Sequence, residues 1–538
     1  MATSLNAELS RLVLTVPEAL VNKVILADGV LHVASDYIMD SAVIDFEMKL
    51  MRLNLLSRKQ SVSMADLDEL RRTGQRAGPT REYDKHYEVQ KIFALLDQAV
   101  QMSASDLHLV VHESHAEIRM RVDGYLDSYA EMTKDEAMNL IRAVYVAAGS
   151  SKNKNQFSFD RPIMARLSRH GEFRLPASLY AVRFASMRSD TGGIVVLRLL
   201  YDSLSLRGKN LDSIQLEDLG FTRDQAAVIR GMADEPNGII LIDGPTGSGK
   251  STTLKFVMQW THAHYPHFNI ITVEDPPEYP IPGSTQIPVM VQEDSSDTIG
   301  GRSREYGAII AGTLRLDPDI LMVGEVRDGE SAIAALRAAE TGHRLWTTLH
   351  ANDAWESLNR LADLLREGGM HEPMSILTNT QNLCGLIAQR LVPKLCMNCR
   401  KPLTECPDAL PAEILDELMQ AVPDIDLRKI YLRGDGCREC VAIAGGDARK
   451  QKADKRHGIL GRTVVAEIVR PDQTILDIAR KDGIPAARRF WLRSRGGKLI
   501  ADAAVEKIME GVLDPRVARE FIGPLVTGAQ LLQKLDAA

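Results

Sequence analysis

The stretch that decides the fold runs from Gly238 to Ser251 and reads GIILIDGPTGSGKS. The largely aliphatic Gly238–Asp243 predicts a buried strand, and Thr252–Met258 predicts the opening of a helix. Between them lies the pattern G-x-x-x-x-G-K-S, which in a strand-loop-helix context is typical of a phosphate-binding loop. Glycines let backbone N–H groups turn toward phosphate oxygens, and the helix N-terminus adds a positive dipole. The alternative is a glycine-rich turn that binds nothing.

Two side chains of this loop have specific predicted roles. Lys250 is expected to place its charge on the β- and γ-phosphates, and the Ser251 hydroxyl is expected to ligate Mg²⁺. The residues predicted to bind the nucleotide are Gly244, Pro245, Thr246, Gly247, Ser248, Gly249, Lys250, Ser251 and Thr252. ATP and Mg²⁺ follow as predicted substrate and cofactor.

Short aliphatic strands alternate with helical stretches across residues 212–390. This alternation predicts an α/β fold with a mostly parallel sheet and helices on both faces. The carboxyl ends of such strands share one edge of the sheet. The strand Asn269–Asp275 ends in Glu274 and Asp275, which could hold Mg²⁺ through water or polarise the attacking water. The alternative for both acids is a cap at the strand end.

Two further strands carry candidate residues. Ile320–Glu325 places an acid after four apolar residues, and Glu325 is the predicted general base because it should face a water in line with the γ-phosphate. Its alternative is a structural salt bridge to Arg327. The strand of residues 345–349 is flanked by His343 and His350, which could sense phosphate or stabilise the sheet edge.

Length and composition restrict the class of protein. The chain has 538 residues, which suggests three or four domains, and its 45% apolar and 25% charged residues exclude disorder as the main state. Lys plus Arg is 65 and Asp plus Glu is 72, and the net charge of −7 argues against nucleic acid as a partner of the whole protein. No apolar run suffices for a membrane span, and the N-terminus lacks signal-peptide features, so the cytoplasm is the expected location.

Six cysteines are too few for a disulfide scaffold at this length. Two C-x-x-C pairs stand out, Cys396 with Cys399 and Cys437 with Cys440. Four thiolates fit a tetrahedral, structural Zn²⁺ site, and the sequence between the pairs is long enough to form its own lobe. The alternative is two redox or bystander pairs.

Taken in order, these motifs are similar to those of the type II secretion and type IV pilus ATPase family. Leu314–Asp328 matches the family signature, Ile271–Tyr279 resembles its Asp box, and Thr341–Ala354 resembles its His box. Asp106–His108 and Arg119–Gly124 resemble pieces of its second N-terminal domain. The resemblance covers about residues 88–470.

The resemblance implies a RecA-like ATPase that forms a homo-hexamer at the inner face of the cytoplasmic membrane. It implies that an integral platform protein is turned so that pilin or pseudopilin subunits are added or removed. It also implies that Arg121 approaches the phosphates, with Arg183 and Arg198 as weaker candidates, and that His343 and His350 couple the γ-phosphate to the sheet. The alternative for the arginines is a surface role. A tetracysteine module is found in assembly-type members, which favours pilus extension or secretion.

Five domains are expected: a partner-binding domain 1–78, an α+β (PAS-like) domain 79–205, the ATPase domain 206–390, a zinc module 391–470 and a helical region 471–538. Within the second domain, alternating residues predict paired strands at 106–111 and 117–122 joined by a tight turn at Asp123–Gly124. Segments 71–80 and 204–211 are predicted to be a linker and a hinge, and 445–456 an exposed loop.

Three rival functions stay open at this point. They are a pilus retraction ATPase, a DNA-translocating ATPase of a conjugation or uptake system, and a nucleotide-binding scaffold that does not hydrolyse ATP. The net charge opposes the second rival, whereas intact Lys250, Ser251 and Glu325 oppose the third. The sequence does not distinguish a pilus from a secretion system.

Overall fold

A computed structural model describes most of the chain. The described residues are 20, 23–27, 30–38, 40–52, 58–64, 66–67, 81–148, 157–168, 175–201, 215–289, 299–442 and 457–537. The predicted linker 71–80, hinge 204–211 and loop 445–456 lie outside these residues.

A small α+β unit comes first. Strands Val24–Ala27 (β1) and Val30–Ala34 (β2) are antiparallel, and Arg58–Val62 (β3) runs parallel to β2. Helix Ser41–Arg52 (α1) completes a core that contains Leu20, Val24, Leu31, Val33, Val43, Phe46 and Leu50. This unit lies within the range expected to choose a partner.

A second unit is an antiparallel sheet with strand order β6-β5-β4-β9-β8-β7. Its helices are Arg81–Gln101 (α2) and Lys134–Ala147 (α3), and its strands are Ala104–Val111 (β4), His115–Val122 (β5), Tyr125–Thr133 (β6), Ile163–Ser168 (β7), Leu179–Ser189 (β8) and Gly192–Tyr201 (β9). Alternate residues of β5 are buried, because the helices cover one face of the sheet. The two strands and the turn predicted for this region are confirmed.

A seven-stranded sheet, called the central sheet below, follows in the order β12-β11-β13-β14-β10-β15-β18. The remaining strands of the described chain are Gly238–Asp243 (β10), Ile270–Glu274 (β11), Ser284–Pro288 (β12), Ile320–Val323 (β13), Arg344–Leu349 (β14), Leu383–Leu395 (β15), Lys401–Pro402 (β16), Tyr431–Leu432 (β17) and Ile459–Val469 (β18). Strands β10 to β15 are mutually parallel and β18 is antiparallel to β15. The expected mostly parallel sheet is therefore confirmed.

Helices pack on both faces of this sheet, as predicted. Along β10, Ile239 and Leu241 enter one hydrophobic core, whereas Ile240 and Ile242 enter another. The helices from here to the chain end are Leu216–Leu219 (α4), Arg223–Ala233 (α5), Lys250–His264 (α6), Ile299–Thr313 (α7), Gly329–Glu340 (α8), Ala354–Glu367 (α9), Pro373–Leu377 (α10), Ala412–Ala421 (α11), Arg438–Ala442 (α12), Gln473–Lys481 (α13), Ile484–Ser494 (α14), Ile500–Met509 (α15), Pro515–Ile522 (α16) and Gly528–Ala537 (α17).

The central sheet extends past residue 390, where the sequence suggested a domain boundary. β15 continues to Leu395, and β18 pairs with it from Leu386 opposite Val469 to Leu395 opposite Ile459. Most residues of β18 are buried, which is what an aliphatic strand between packed helices requires. The range expected to form the zinc module thus also supplies a strand to the central sheet.

The described residues 396–442, which follow β15, form a lobe called the cysteine lobe below. It contains the short pair β16 and β17 with helices α11 and α12. Its core residues Ile414, Leu418 and Leu432 belong to the same hydrophobic cluster as Ile508 of α15 and Val517 of α16. The lobe and the C-terminal helices are therefore packed as one body.

The turn between β5 and β6 joins the second unit to the C-terminal helices. Tyr125 packs edge-on against Phe521 of α16, with ring centroids 5.6 Å apart, and its hydroxyl lies 3.3 Å from the Glu520 carboxylate. Asp123 accepts a hydrogen bond of 3.3 Å from the backbone N–H of Gly461 on β18. The position of β5 relative to the central sheet is fixed through these contacts.

Candidate active site

The phosphate-binding loop depends on its glycines. Gly247 and Gly249 have φ values of 82° and 90°, a left-handed conformation that residues with a Cβ rarely adopt. At Gly244, a Cβ would lie 2.4 Å from the carbonyl oxygen of Gln389 on β15. The loop is thus closed tightly against the neighbouring strand, which only glycine at this position permits.

Lys250 is the first residue of α6 and lies within the loop. Its ammonium donates to the carbonyl oxygens of Gly244, at 2.6 Å, and Pro245, at 3.4 Å. Burial lowers the pKa of Lys250, and the nearby carboxylates of Glu325 and Asp243 oppose that shift without cancelling it. The cation is therefore within electrostatic reach of the acid at the tip of β13.

Two of the predicted acids meet around one arginine at the carboxyl edge of the central sheet. Arg327 donates from Nε to Glu325 Oε2 at 2.9 Å and from Nη1 to Asp275 Oδ2 at 3.0 Å. Glu325 Oε1 lies 3.1 Å from His350 Nε2. The salt bridge to Arg327 that stood as the alternative for Glu325 is present, and it joins this acid to Asp275.

Glu274 ends β11 and is only 8% exposed. Its Oε1 accepts hydrogen bonds from the Thr272 hydroxyl at 2.7 Å and from the Gln286 amide at 2.9 Å. Burial raises the pKa of Glu274, and these two bonds only partly oppose the shift. The raised pKa makes Glu274 a second candidate for the general base.

His343 lies apart from this cluster. It precedes β14, with its ring Nδ1 3.0 Å from the Thr341 hydroxyl and 3.1 Å from the Ala338 carbonyl oxygen. His350 follows the same strand, and a strand of this length separates the two rings by about 20 Å. The structure brings His350 to the candidate site and leaves His343 at the opposite edge of the sheet.

Arginines of the second unit face the chain that follows β11. Arg183 Nη1 lies 3.6 Å from Glu278 Oε1. Arg198 Nε donates to Asp106 Oδ1 at 2.9 Å, and Arg121 Nε lies 3.8 Å from Asp106 Oδ2. Burial lowers the pKa of Lys250, and the Glu278 carboxylate is one of the charges that oppose this shift, so the acid beside Arg183 also acts on the phosphate-binding loop. Glu278 thus lies near both Arg183 and the loop lysine, whereas Arg198 and Arg121 share Asp106.

The four predicted zinc ligands converge in the cysteine lobe. Cys396 Sγ lies 3.6 Å from Cys437 Sγ, Cys399 Sγ lies 3.8 Å from Cys440 Sγ, and all four sulfurs lie within 4.8 Å of one another. Four thiolates around a tetrahedral zinc ion have sulfur–sulfur separations of ~3.8 Å. The geometry fits the ion, and with four protein ligands no position would be open for chemistry.

Comparison with known proteins identifies the family. The profile described as type II/IV secretion system protein matches residues 82–519. The chain belongs to the type II/IV secretion system protein family. The resemblance carried by the phosphate loop, Asp box, signature and His box is thereby confirmed.

Two curated members of this secretion system family show the extent of the likeness. The putative type II secretion system protein E of Escherichia coli K12 is 36% identical over 313 residues, which are 58% of this chain and 57% of that protein. The type II secretion system protein E of Dickeya dadantii is 33% identical over 434 residues, which are 79% of this chain and 73% of that protein. The chain thus spans little more than half of the first relative and about three quarters of the second.

A solved structure of a motor shares the fold of this family member. The chain matches the pilus retraction motor PilT, crystallised with bound ADP, with a TM-score of 0.50 and 22% identity over 80% of this chain and 96% of that one. At this identity the likeness concerns the fold alone, and it agrees with the expected RecA-like α/β architecture.

Gln389 is a residue of this family member that the sequence did not single out. It is fully buried on β15, where its amide donates to the Ser248 carbonyl oxygen at 2.8 Å and accepts from the Thr253 hydroxyl at 3.0 Å. It therefore braces the phosphate loop and the first turn of α6 from a neighbouring strand. A polar residue inside an aliphatic strand was the only sequence signal for it.

Asp243 is a second such residue, at the end of β10 immediately before the loop. Its side chain is completely buried, and this burial raises its pKa to about 7. The Ser357 hydroxyl and the charges of Lys250 and Arg390 lower the pKa without offsetting burial. Asp243 is thus a titratable group directly behind the loop.

The raised pKa of Asp243 predicts a dependence of stability on pH. The native state keeps a proton that the unfolded state releases between about pH 4 and about pH 7, so this carboxyl destabilises the fold increasingly as pH rises through that window. We expect Asp243→Asn to gain up to about 4 kcal/mol in unfolding free energy over the wild type between about pH 4 and about pH 8. Urea unfolding at both pH values measures this gain.

The exposed Asp416 of α11 supplies the control. Asp416→Asn should show the same difference from the wild type at both pH values. A pH-independent difference for Asp243→Asn would contradict the prediction.

Proposed function

We propose that this chain is a Mg²⁺-dependent ATPase that works as a homo-hexameric motor. In this proposal it powers assembly of a type IV pilus or a type II secretion pseudopilus through an integral inner-membrane platform protein. One observation carries the proposal, namely that Glu325, which shares Arg327 with Asp275, lies within electrostatic reach of Lys250 in the phosphate loop.

Nucleotide binding falls to the loop from Gly244 to Thr252. Its N–H groups and the N-terminus of α6 receive the phosphates, and Lys250 exchanges its bonds to loop carbonyl oxygens for phosphate oxygens. The exposed Ser251 hydroxyl and the Asp275 carboxylate are hard oxygen donors of the kind that Mg²⁺ prefers. When bound, the ion neutralises phosphate charge.

Hydrolysis requires a water that attacks the γ-phosphorus while the oxygen bridging to the β-phosphate leaves. We assign the water's proton to Glu325, whose orientation is set by Arg327 and His350. Glu274 supports the metal site through water. Arg121, Arg183 and Arg198 close over the phosphates and stabilise the charge that develops there.

The remaining parts supply structure and partners. Cys396, Cys399, Cys437 and Cys440 hold a structural Zn²⁺, and residues 1–78 choose the partner. This proposal keeps the domain division into 1–78, 79–205, 206–390, 391–470 and 471–538. Strand β18 falls in the fourth range, although it pairs with β15 in the central sheet. Among the described residues, none of the helices combines the length and apolarity that crossing a bilayer requires. We place the motor in the cytoplasm, attached to the inner membrane through protein partners.

ATP turnover of the purified full-length chain tests the proposed activity. We expect hydrolysis with Mg²⁺, its loss with excess EDTA and its recovery on readdition of Mg²⁺. Single-stranded and double-stranded DNA should leave the rate unchanged. Stimulation by DNA would favour a DNA-translocating ATPase, and nucleotide binding without turnover in the hexameric fraction would favour a scaffold.

A further inference from the structure

Asp106 lies at the centre of the sheet face that the helices of the second unit leave uncovered. On β4 it is paired in register with Arg121 of β5 on one side and with Arg198 of β9 on the other. Its side chain is 7% exposed, whereas those of the two arginines are 38% and 42% exposed. A buried carboxylate therefore lies between two partly exposed cations.

The carboxylate engages both arginines at the same edge of their guanidinium groups. Oδ1 accepts from Arg198 Nε at 2.9 Å, and Oδ2 lies 3.8 Å from Arg121 Nε. Oδ2 also accepts from the Ser105 hydroxyl at 2.9 Å. The bond at Nε fixes the plane of the Arg198 guanidinium and leaves its two terminal nitrogens to bind another anion, whereas Nη1 of Arg121 donates to the Gly124 carbonyl oxygen at 2.9 Å.

The other side of this cluster belongs to the central sheet. Burial lowers the pKa of Arg198, but the bond to Asp106 and the charges of Asp106 and Glu278 more than offset this, so the pKa is raised. Arg462 of β18 is partly buried and lies close enough to Asp106 and Asp123 for their charges to interact. Arg198 therefore remains charged where the second unit meets the residues that follow β11.

A purely structural purpose explains this arrangement poorly. Burying a carboxylate is costly, and a well-packed apolar side chain at the same place is often neutral or stabilising by comparison. The open face already contains a second carboxylate–arginine pair, in which Glu117 accepts from Arg119 at 2.8 Å and 2.6 Å. Glu117 is less buried than Asp106 and binds one arginine of its own strand.

We propose that Asp106 is a positioning residue for ATP hydrolysis: it holds Arg198 at Nε, so that the terminal nitrogens of this arginine point at the phosphates. This inference rests on the proposed function, because it assumes that this arginine acts on ATP. Asp106 itself touches neither ATP nor the attacking water. Its effect is to reduce the number of orientations that Arg198 samples before the transition state forms.

Steady-state ATP hydrolysis by the full-length chain tests whether Asp106 positions Arg198. Asp106→Asn keeps the shape of the side chain but weakens the bond to Arg198, so we expect kcat to fall about 10- to 100-fold with KM within about threefold of the wild type. Glu117→Gln is the matched control on the same sheet face and should leave kcat unchanged. Thermal unfolding of each variant shows whether the second unit stays folded.

Arg198→Lys tests the same idea without altering Asp106. A lysine has the charge but a single nitrogen, which cannot bind Asp106 side-on and phosphate end-on together, so we expect a fall in kcat like that of Asp106→Asn. In the Arg198→Ala background, Asp106→Asn should lower kcat by no more than about twofold, because the arginine that Asp106 positions is absent. If Asp106→Asn does not fold, Arg198→Lys decides alone.

The outcomes separate this inference from the proposed function. A wild-type kcat in Arg198→Lys would overturn the positioning role. So would an equal fold-loss of kcat from Asp106→Asn in the presence and in the absence of Arg198. If kcat falls in Arg198→Ala in either case, the ATPase proposal still stands. Unchanged turnover in Arg198→Ala overturns the arginine's role and the positioning role of Asp106 together.

Discussion

Replacing Glu325 with glutamine is expected to lower kcat for ATP hydrolysis by about 10²- to 10⁴-fold, with ATP binding retained. Glutamine keeps the shape of the side chain and can still accept a hydrogen bond from Arg327 or His350, but it cannot take the proton of the attacking water. The phosphate loop does not depend on this side chain, since Lys250 is held by loop carbonyl oxygens.

The contacts of Glu325 explain how it becomes available as a base. Both of its oxygens are engaged, one by Arg327 at 2.9 Å and one by His350 at 3.1 Å. Arg327 has a second acid, Asp275, at 3.0 Å, so it keeps a partner when Glu325 turns toward the water. Arg327 therefore bridges Glu325 and Asp275, and it keeps its bond to Asp275 if Glu325 moves.

Glu274→Gln discriminates between the two candidate bases, and Glu340→Gln, on the exposed end of α8, serves as a control. Turnover is measured as phosphate release and binding with a fluorescent ATP analogue. If Glu274→Gln shows the large loss and Glu325→Gln a small one, the base has been assigned to the wrong acid. If Glu325→Gln abolishes binding, the side chain belongs to the nucleotide pocket.

Removal of the zinc ligands is the second change with a large expected effect. Cys399→Ser together with Cys440→Ser should abolish zinc binding and lose most of the ~10 kcal/mol that structural zinc contributes to small modules. Helix α11 and strand β17 should then exchange amide hydrogens rapidly. Because the phosphate loop lies on β10 and α6, the affinity for ATP should stay within about twofold.

Zinc release on unfolding, hydrogen exchange and ATP affinity measure these effects. Cys406→Ser is the control, because Cys406 donates to the Pro402 carbonyl oxygen and lies outside the tetracysteine cluster. A double variant that still binds zinc, or one whose lobe keeps wild-type protection, would contradict a structural zinc site. Loss of ATP binding would show that the lobe and the phosphate loop fold as one.

Local pattern was sufficient for much of the fold and of the site. Glycine-rich loops, aliphatic strands and acids at strand ends are recognisable from a few consecutive residues. The phosphate loop and the strands ending near Glu274 and Glu325 could therefore be predicted. The two C-x-x-C pairs were equally readable. The structure confirms the four central strands and brings the four cysteines together.

Other features depend on residues far apart in the chain. Gln389 braces the loop from a strand more than a hundred positions away, and the pKa of Asp243 is raised only because the fold buries its side chain. Strand β18 joins the central sheet because β15 offers a long free edge, which no local pattern reveals. His343 and His350 flank one strand, so the sequence suggests related roles for them. The two ends of a strand, however, lie at opposite edges of the sheet.

The turn at Asp123–Gly124 has a mechanical consequence. It rests on Phe521 of α16, and the residues just before α16 are tied to the cysteine lobe, since Arg400 donates to the Gly511 carbonyl oxygen and Asp514 accepts from the backbone N–H of Arg433 at 2.7 Å. The cysteine lobe therefore supports this turn through α16. Loss of order in the lobe would therefore disturb the position of Arg121 on β5 without any direct contact with the phosphate loop.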